Sequence, residues 1–136
     1  MTTWFEEVWN QKNEATIPKL LAPNVIAHGL TDENGNELVG VEHFIPFYKK
    51  FVASFPGISV KILHIAAEGN KVAALTEFTM PHTGEPFKIS ESKSIAPSGK
   101  PHKMTGVAFS IVENGQIQET WNCYDFFGFF SQMGAI

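Results

Sequence analysis

Asn122 and Asp125 stand three residues apart near the end of the chain, in the run WNCYDFFGFF (121–130). Few residues outside it have the type and setting for acid–base work. A carboxylate desolvated among aromatic rings has its charged form disfavoured, so its pKa climbs toward the range useful for proton transfer. Asp125 fits that description. It also stands one residue before a short apolar segment, where a carboxylate caps a helix by accepting from the amides of Phe127 or Gly128. Glu77 (LTEFT) and Glu91 (ISESK) are further candidates, although Lys93 lies on the strand side of Glu91 and offers it a surface ion pair. His28 lies inside the apolar stretch VIAHGL and is either a proton carrier or a hydrogen-bonded strand histidine.

Other chemistries find little support. The five histidines show no metal-ligand spacing, and no cysteine stands within motif range, so no metal site is expected. His64, His82 and His102 fall near strand ends or turns and are expected to be solvated; His43 belongs to the polar side of a helix. Cys123 is the only cysteine, which excludes an internal disulfide and reads as a small buried hydrophobe. No nucleophile elbow or glycine-rich phosphate loop is present, and no cofactor is expected.

The composition sets the frame. The chain has 136 residues, 43% of them hydrophobic and 18% charged, which suits one globular domain over 1–136. A net charge of −4 without a basic run argues against nucleic acid. The N-terminal residues lack a signal-peptide pattern, and no apolar run approaches the ~20 residues that span a bilayer, so a cytoplasmic protein is expected. Twelve phenylalanines either fill a thick core or line a cavity for something flat and apolar.

These residues must be positioned by a recognisable series of elements. Thr3 to Glu6 has the form of a capping box, predicting a helix that buries Phe5, Val8 and Trp9. A short helix capped by Thr16 should carry Ile17, Leu20 and Leu21, followed by a strand at 25–30. From Val41 to Phe55 the apolar spacing is helical, with Pro46 expected to delay or kink the helix. Five strand-like segments then follow: ISVKILHIAA, KVAALTEFTM, FKISESKSIA, KMTGVAFSIV and QIQETWNCY. Asn114-Gly115 gives the strongest hairpin signal, and a last helix should end at Gly134. The order predicts an α+β fold in which a curved antiparallel sheet wraps a long helix as a cone, leaving a small-molecule cavity at its mouth.

Residues 97–125, PSGKPHKMTGVAFSIVENGQIQETWNCYD, with the following FFGFFSQMG, resemble the SnoaL-like polyketide cyclase family, whose cone-shaped superfamily includes ketosteroid isomerases. FPGISV (55–60) and the His28 strand also fit, and the resemblance covers nearly the whole chain. It implies a cofactor-free cyclase or isomerase acting on a hydrophobic, polyketide- or steroid-like carbonyl compound. The family's aspartate after the tryptophan corresponds to Asn122, and its histidine two residues after the strand glycine to Ala108. An amide cannot exchange a proton near neutral pH, although it can donate to an enolate. The alternative is therefore a non-catalytic binder that has lost the acid–base pair.

The expected catalytic set is Asn122, Asp125 and His28. The expected ligand contacts are Trp9, Phe44, Tyr48, Phe78, Met104, Ala108, Ser110 and Thr120. If positions 108 and 122 face the cavity, strand alternation adds Gln118 and sends Val107, Phe109, Ile111, Ile117 and Trp121 to the opposite face. So large an apolar face requires either a bulge that breaks the alternation or a partner, for which a homodimer is expected.

Overall fold

In a computed structural model, residues 1–31, 35–90 and 92–134 are described. The chain opens with a π-helix, Trp4–Asn10, in which the Gln11 amide donates to the Glu6 carbonyl five residues back. The widened turn puts Trp4, Phe5, Val8 and Trp9 in the core together. The anticipated capping box does not form: Thr3 is itself helical and makes no side-chain cap bond. Asn10 docks this helix to the sheet instead. Its side chain donates to the Val60 carbonyl (3.1 Å) and accepts from the Val60 amide (2.7 Å), imitating a neighbouring strand.

A 3-10 turn, Glu14–Thr16, leads into the short α1, Ile17–Leu20. Thr16 caps nothing by its side chain; its hydroxyl donates to Glu7 Oε1 at 2.9 Å. Strand β1, Leu21–Thr31, is longer than its sequence signal and runs through Pro23. Strand β2, Glu37–Val39, returns beside it. The long helix α2, Val41–Ser54, starts at Val41 and continues through Pro46, with Phe44, Tyr48 and Phe51 buried.

The remaining strands are β3 (Ser59–Glu68), β4 (Lys71–Pro81), β5 (Phe87–Ser90), β6 (Lys93–Ile95), β7 (Pro101–Glu113) and β8 (Gln116–Tyr124), before helix α3, Phe126–Gln132. FKISESKSIA is thus not one strand but the separate hairpin β5–β6. Glu91 lies outside the described residues. The main sheet has the order β2-β1-β8-β7-β4-β3. It is antiparallel except at β1–β8, where the chain ends run parallel. Asn114 (φ 54°) and Gly115 (φ 75°) make the β7–β8 turn, the left-handed pair a tight hairpin demands.

The register slips on β1, on β3 after Ile62, and on β8 between Ile117 and Glu119. Bulges of this kind bend strands and strengthen their twist, which closes the sheet toward α2. The slip on β8 has a direct consequence. Gln118 becomes an extra residue, so Ile117 turns inward and is buried instead of Gln118, reversing the expectation for both.

Candidate functional site

Between the concave face, the π-helix and α2 lies a cavity of about 740 Å³, its open mouth included. Trp4, Trp9, Phe44, Phe47 and Phe78 supply much of its aromatic wall. The rings are fixed against one another: Trp9 meets Phe78 edge-on at 5.6 Å, and Trp4 lies 5.5 Å from Phe44. Of the expected ligand contacts, Trp9, Phe44, Phe78, Met104, Ala108, Ser110 and Thr120 line this space, as does Asn122. Tyr48 stands one layer back. Its ring packs on Trp9 and its hydroxyl donates to the Val8 carbonyl at 2.9 Å. Phe109 and Trp121, opposite each other across β7–β8, face away from the cavity.

Apart from Ser110 on β7, the polar part of the wall is one row on β8. Thr120, Asn122 and Tyr124 alternate inward, and each is held from behind. The Ser110 hydroxyl donates to Thr120 Oγ1 at 3.0 Å. The Asn122 amide donates to the His28 carbonyl at 3.0 Å, which leaves its oxygen and second N–H uncommitted. Asn122 is also tightly approached by β1: a Cβ on Gly29 (φ 84°) would fall 2.0 Å from the Asn122 carbonyl oxygen. Tyr124 accepts from the Thr76 hydroxyl at 3.4 Å, and burial pushes its phenol pKa up. It therefore remains a proton donor at neutral pH.

No Asp, Glu, His, Lys or Arg lines the cavity among the described residues. The side chains of His28 and Asp125 are not brought together with that of Asn122, which meets only the backbone carbonyl of His28. His28 points to the convex face, where Nδ1 meets Glu37 and Nε2 lies 2.5 Å from Glu119 Oε2. Its ring stacks on Trp121 with centroids 5.0 Å apart. Glu119, and then Glu37, hold its pKa above the ordinary histidine range despite partial desolvation. Asp125 caps α3, accepting from the Gly128 amide at 2.9 Å. Glu77 pairs with Lys103 at 3.5 Å, on the side opposite its buried neighbours Thr76 and Phe78.

Three further expectations need correction. Cys123 is exposed, opposite Val107 on the convex face, because the β8 alternation points it outward. His82 and His102 are buried, not solvated: His82, just past β4, packs on Phe55, and His102, in β7, meets Phe129 edge-on. His82 Nε2 donates to the Glu85 carbonyl, while Nδ1 has no partner among the described residues. Sequence reasoning missed Tyr124 as a member of the wall and Thr76 as the hydroxyl behind it. The inward period on β8 that placed Thr120 could have found Tyr124.

Among the described residues no cluster of His, Cys, Asp or Glu could hold a metal, and no helix is long and apolar enough to cross a membrane.

Known structures share this fold. The chain is similar over 99% of its length to a candidate SnoaL-like polyketide cyclase from Jannaschia sp. CCS1, covering 89% of that structure at 21% identity and a TM-score of 0.79. A candidate polyketide cyclase from Acidithiobacillus ferrooxidans is 25% identical, with coverages of 98% and 91% and a TM-score of 0.77. IdmH, a candidate polyketide cyclase from Streptomyces antibioticus, gives 23%, 98%, 94% and 0.78 for the same measures. A ketosteroid isomerase-like protein from Catenulispora acidiphila, solved with trimethylamine, is 16% identical with a TM-score of 0.72; coverages are 98% and 90%. No curated protein matches. The sequence model of SnoaL-like polyketide cyclases matches residues 1–133, and with the cone and its β8 wall in place the chain belongs to that family.

Proposed function

We propose that the protein binds a flat, uncharged, hydrophobic carbonyl compound, polyketide- or steroid-like in shape, inside the cone. One observation carries this reading: among the described residues, the side chains lining the wall are apolar apart from hydroxyls, the indoles of Trp4 and Trp9 and one amide, and none of them is charged. Burying a ligand carboxylate there would leave a charge without a counterion, a large penalty. A neutral carbonyl finds donors on β8 and rings elsewhere. Differential scanning of the protein with flat ketones tests it: stabilisation that grows with ligand concentration supports it, and none at saturating ketone refutes it.

A second reading is cofactor-free ring closure or isomerisation. It is favoured by Asn122, which occupies the inward place on β8 and can donate to a developing enolate. Asp125 and His28 then have no direct route to the ligand from their present contacts. Deuterium exchange into a bound ketone separates the two: binding alone yields none, whereas exchange lost in Asn122→Leu favours catalysis.

A second copy of the chain is the partner that suits the convex face. Trp121 (37% exposed), Val107 (39%) and Phe109 (36%) form an apolar strip there. Light scattering at micromolar concentration reads this directly; a monomeric mass would refute it.

A further inference from the structure

We propose that Tyr124 is a specificity-determining residue of the cavity: its phenol, held flat against the concave sheet, reads a neutral acceptor oxygen on the ligand. This rests on the binding reading above and deepens it.

The placement begins with a glycine. Thr76 on β4, Gly106 on β7 and Tyr124 on β8 are register partners across three adjacent strands. A Cβ at Gly106 would lie 2.3 Å from Tyr124 Cδ1. The bare backbone of Gly106 is therefore what lets the ring lie across β7 and carry its hydroxyl to Thr76. The Thr76 hydroxyl is fully buried and donates to Tyr124 Oη. A hydroxyl that accepts this way turns its own proton elsewhere, and no protein acceptor takes that proton among the described residues. Phe78 and Phe126 meet the ring edge-on at 5.6 and 6.4 Å and fix its tilt. Both of those residues line the cavity with Tyr124.

With no charged side chain among the described residues lining the cavity beside it, and with its pKa pushed up by burial, the phenol is a donor and not a base. It discriminates a ketone from the matching hydrocarbon, because a buried donor without an acceptor is left unpaired. It also discriminates against a carboxylate, which gains one hydrogen bond but no counterion. Thr120, backed by Ser110, repeats the device two inward positions down β8.

Fluorene and fluorenone test this, since they differ by one carbonyl on the same flat frame. Wild-type protein should bind fluorenone about tenfold more tightly than fluorene, the yield of one well-made hydrogen bond. Tyr124→Phe should bring fluorenone and fluorene to one affinity, with fluorene binding no weaker than in wild type. Thr76→Val, which frees the phenol without removing it, should lower the preference only in part. Equal wild-type affinities, or a preference that survives in Tyr124→Phe, overturn the role of Tyr124 while the cavity reading stands. Failure of both compounds to bind wild-type protein overturns both readings. Fluorene binding at least as tight as in wild type serves as the check on folding in the variants.

Discussion

His28 and Trp121 stack on the convex face with planes 22° apart, and the same histidine hands its backbone carbonyl to the Asn122 amide on the other side of the sheet. One residue thus anchors both faces of β1–β8. Two carboxylates, Glu119 and Glu37, clamp its imidazole.

The clamp makes stability depend on pH in a defined direction. The folded pKa of His28 is raised above the unfolded value of about 6.5. The contribution is therefore fully present below that value and is lost as pH rises through the folded pKa. Urea unfolding from pH 6 upward should show wild-type protein losing part of its advantage over His28→Gln. A difference that stays constant across the range contradicts the clamp.

His102 pulls the other way. Burial, then His82 and Lys100, lowers its pKa. A depressed pKa means that the unfolded chain binds the proton more readily, so stability holds above about pH 6.5 and falls as pH drops through the folded value. His102→Gln should flatten the acid limb of the stability curve measured by urea unfolding. An unchanged acid limb would contradict the assignment.

Asp125 is assigned here as a cap. Asp125→Ala should cost about 1 kcal/mol, the usual value of an N-cap, while leaving fluorene affinity within twofold. Asp125→Asn should cost less, because an amide oxygen still accepts from Gly128. A loss of ligand binding in either variant, with stability intact, would return Asp125 to the site.

Gly29→Ala should be among the most damaging single substitutions. The position needs a left-handed backbone, and the added methyl meets the Asn122 carbonyl at 2.0 Å. Steric and backbone strain together should exceed about 2 kcal/mol. A thermal scan within 1 °C of wild type would show that β1 has room to move.

Much of this was legible in the residues themselves. The long helix, the strand-rich second half, the Asn114-Gly115 hairpin and the cap at Asp125 all rest on local signals. The inward placement of Ala108, Ser110, Thr120 and Asn122 followed from alternation once one position was fixed. What failed was non-local. No local signal marks Gln118 as an extra residue, so period-two counting sent Ile117 to the wrong face. His82 and His102 look like turn histidines until the folded chain packs them against Phe55 and Phe129. Cys123 was weighed by residue type, whereas its strand parity turns it outward. His28 was recognised as unusual, but its carboxylate partners come from nine and 91 positions away.

The central claim is that ligand enters the concave side of β8. Chemical-shift mapping with fluorenone reads it directly, because successive residues of that strand report opposite faces. The Thr120 methyl and the Asn122 side-chain amide should move with added ligand while the Trp121 indole N–H stays put. Shifts at Trp121 and Phe109 with Thr120 and Asn122 still, or no shifts at saturation, would contradict it.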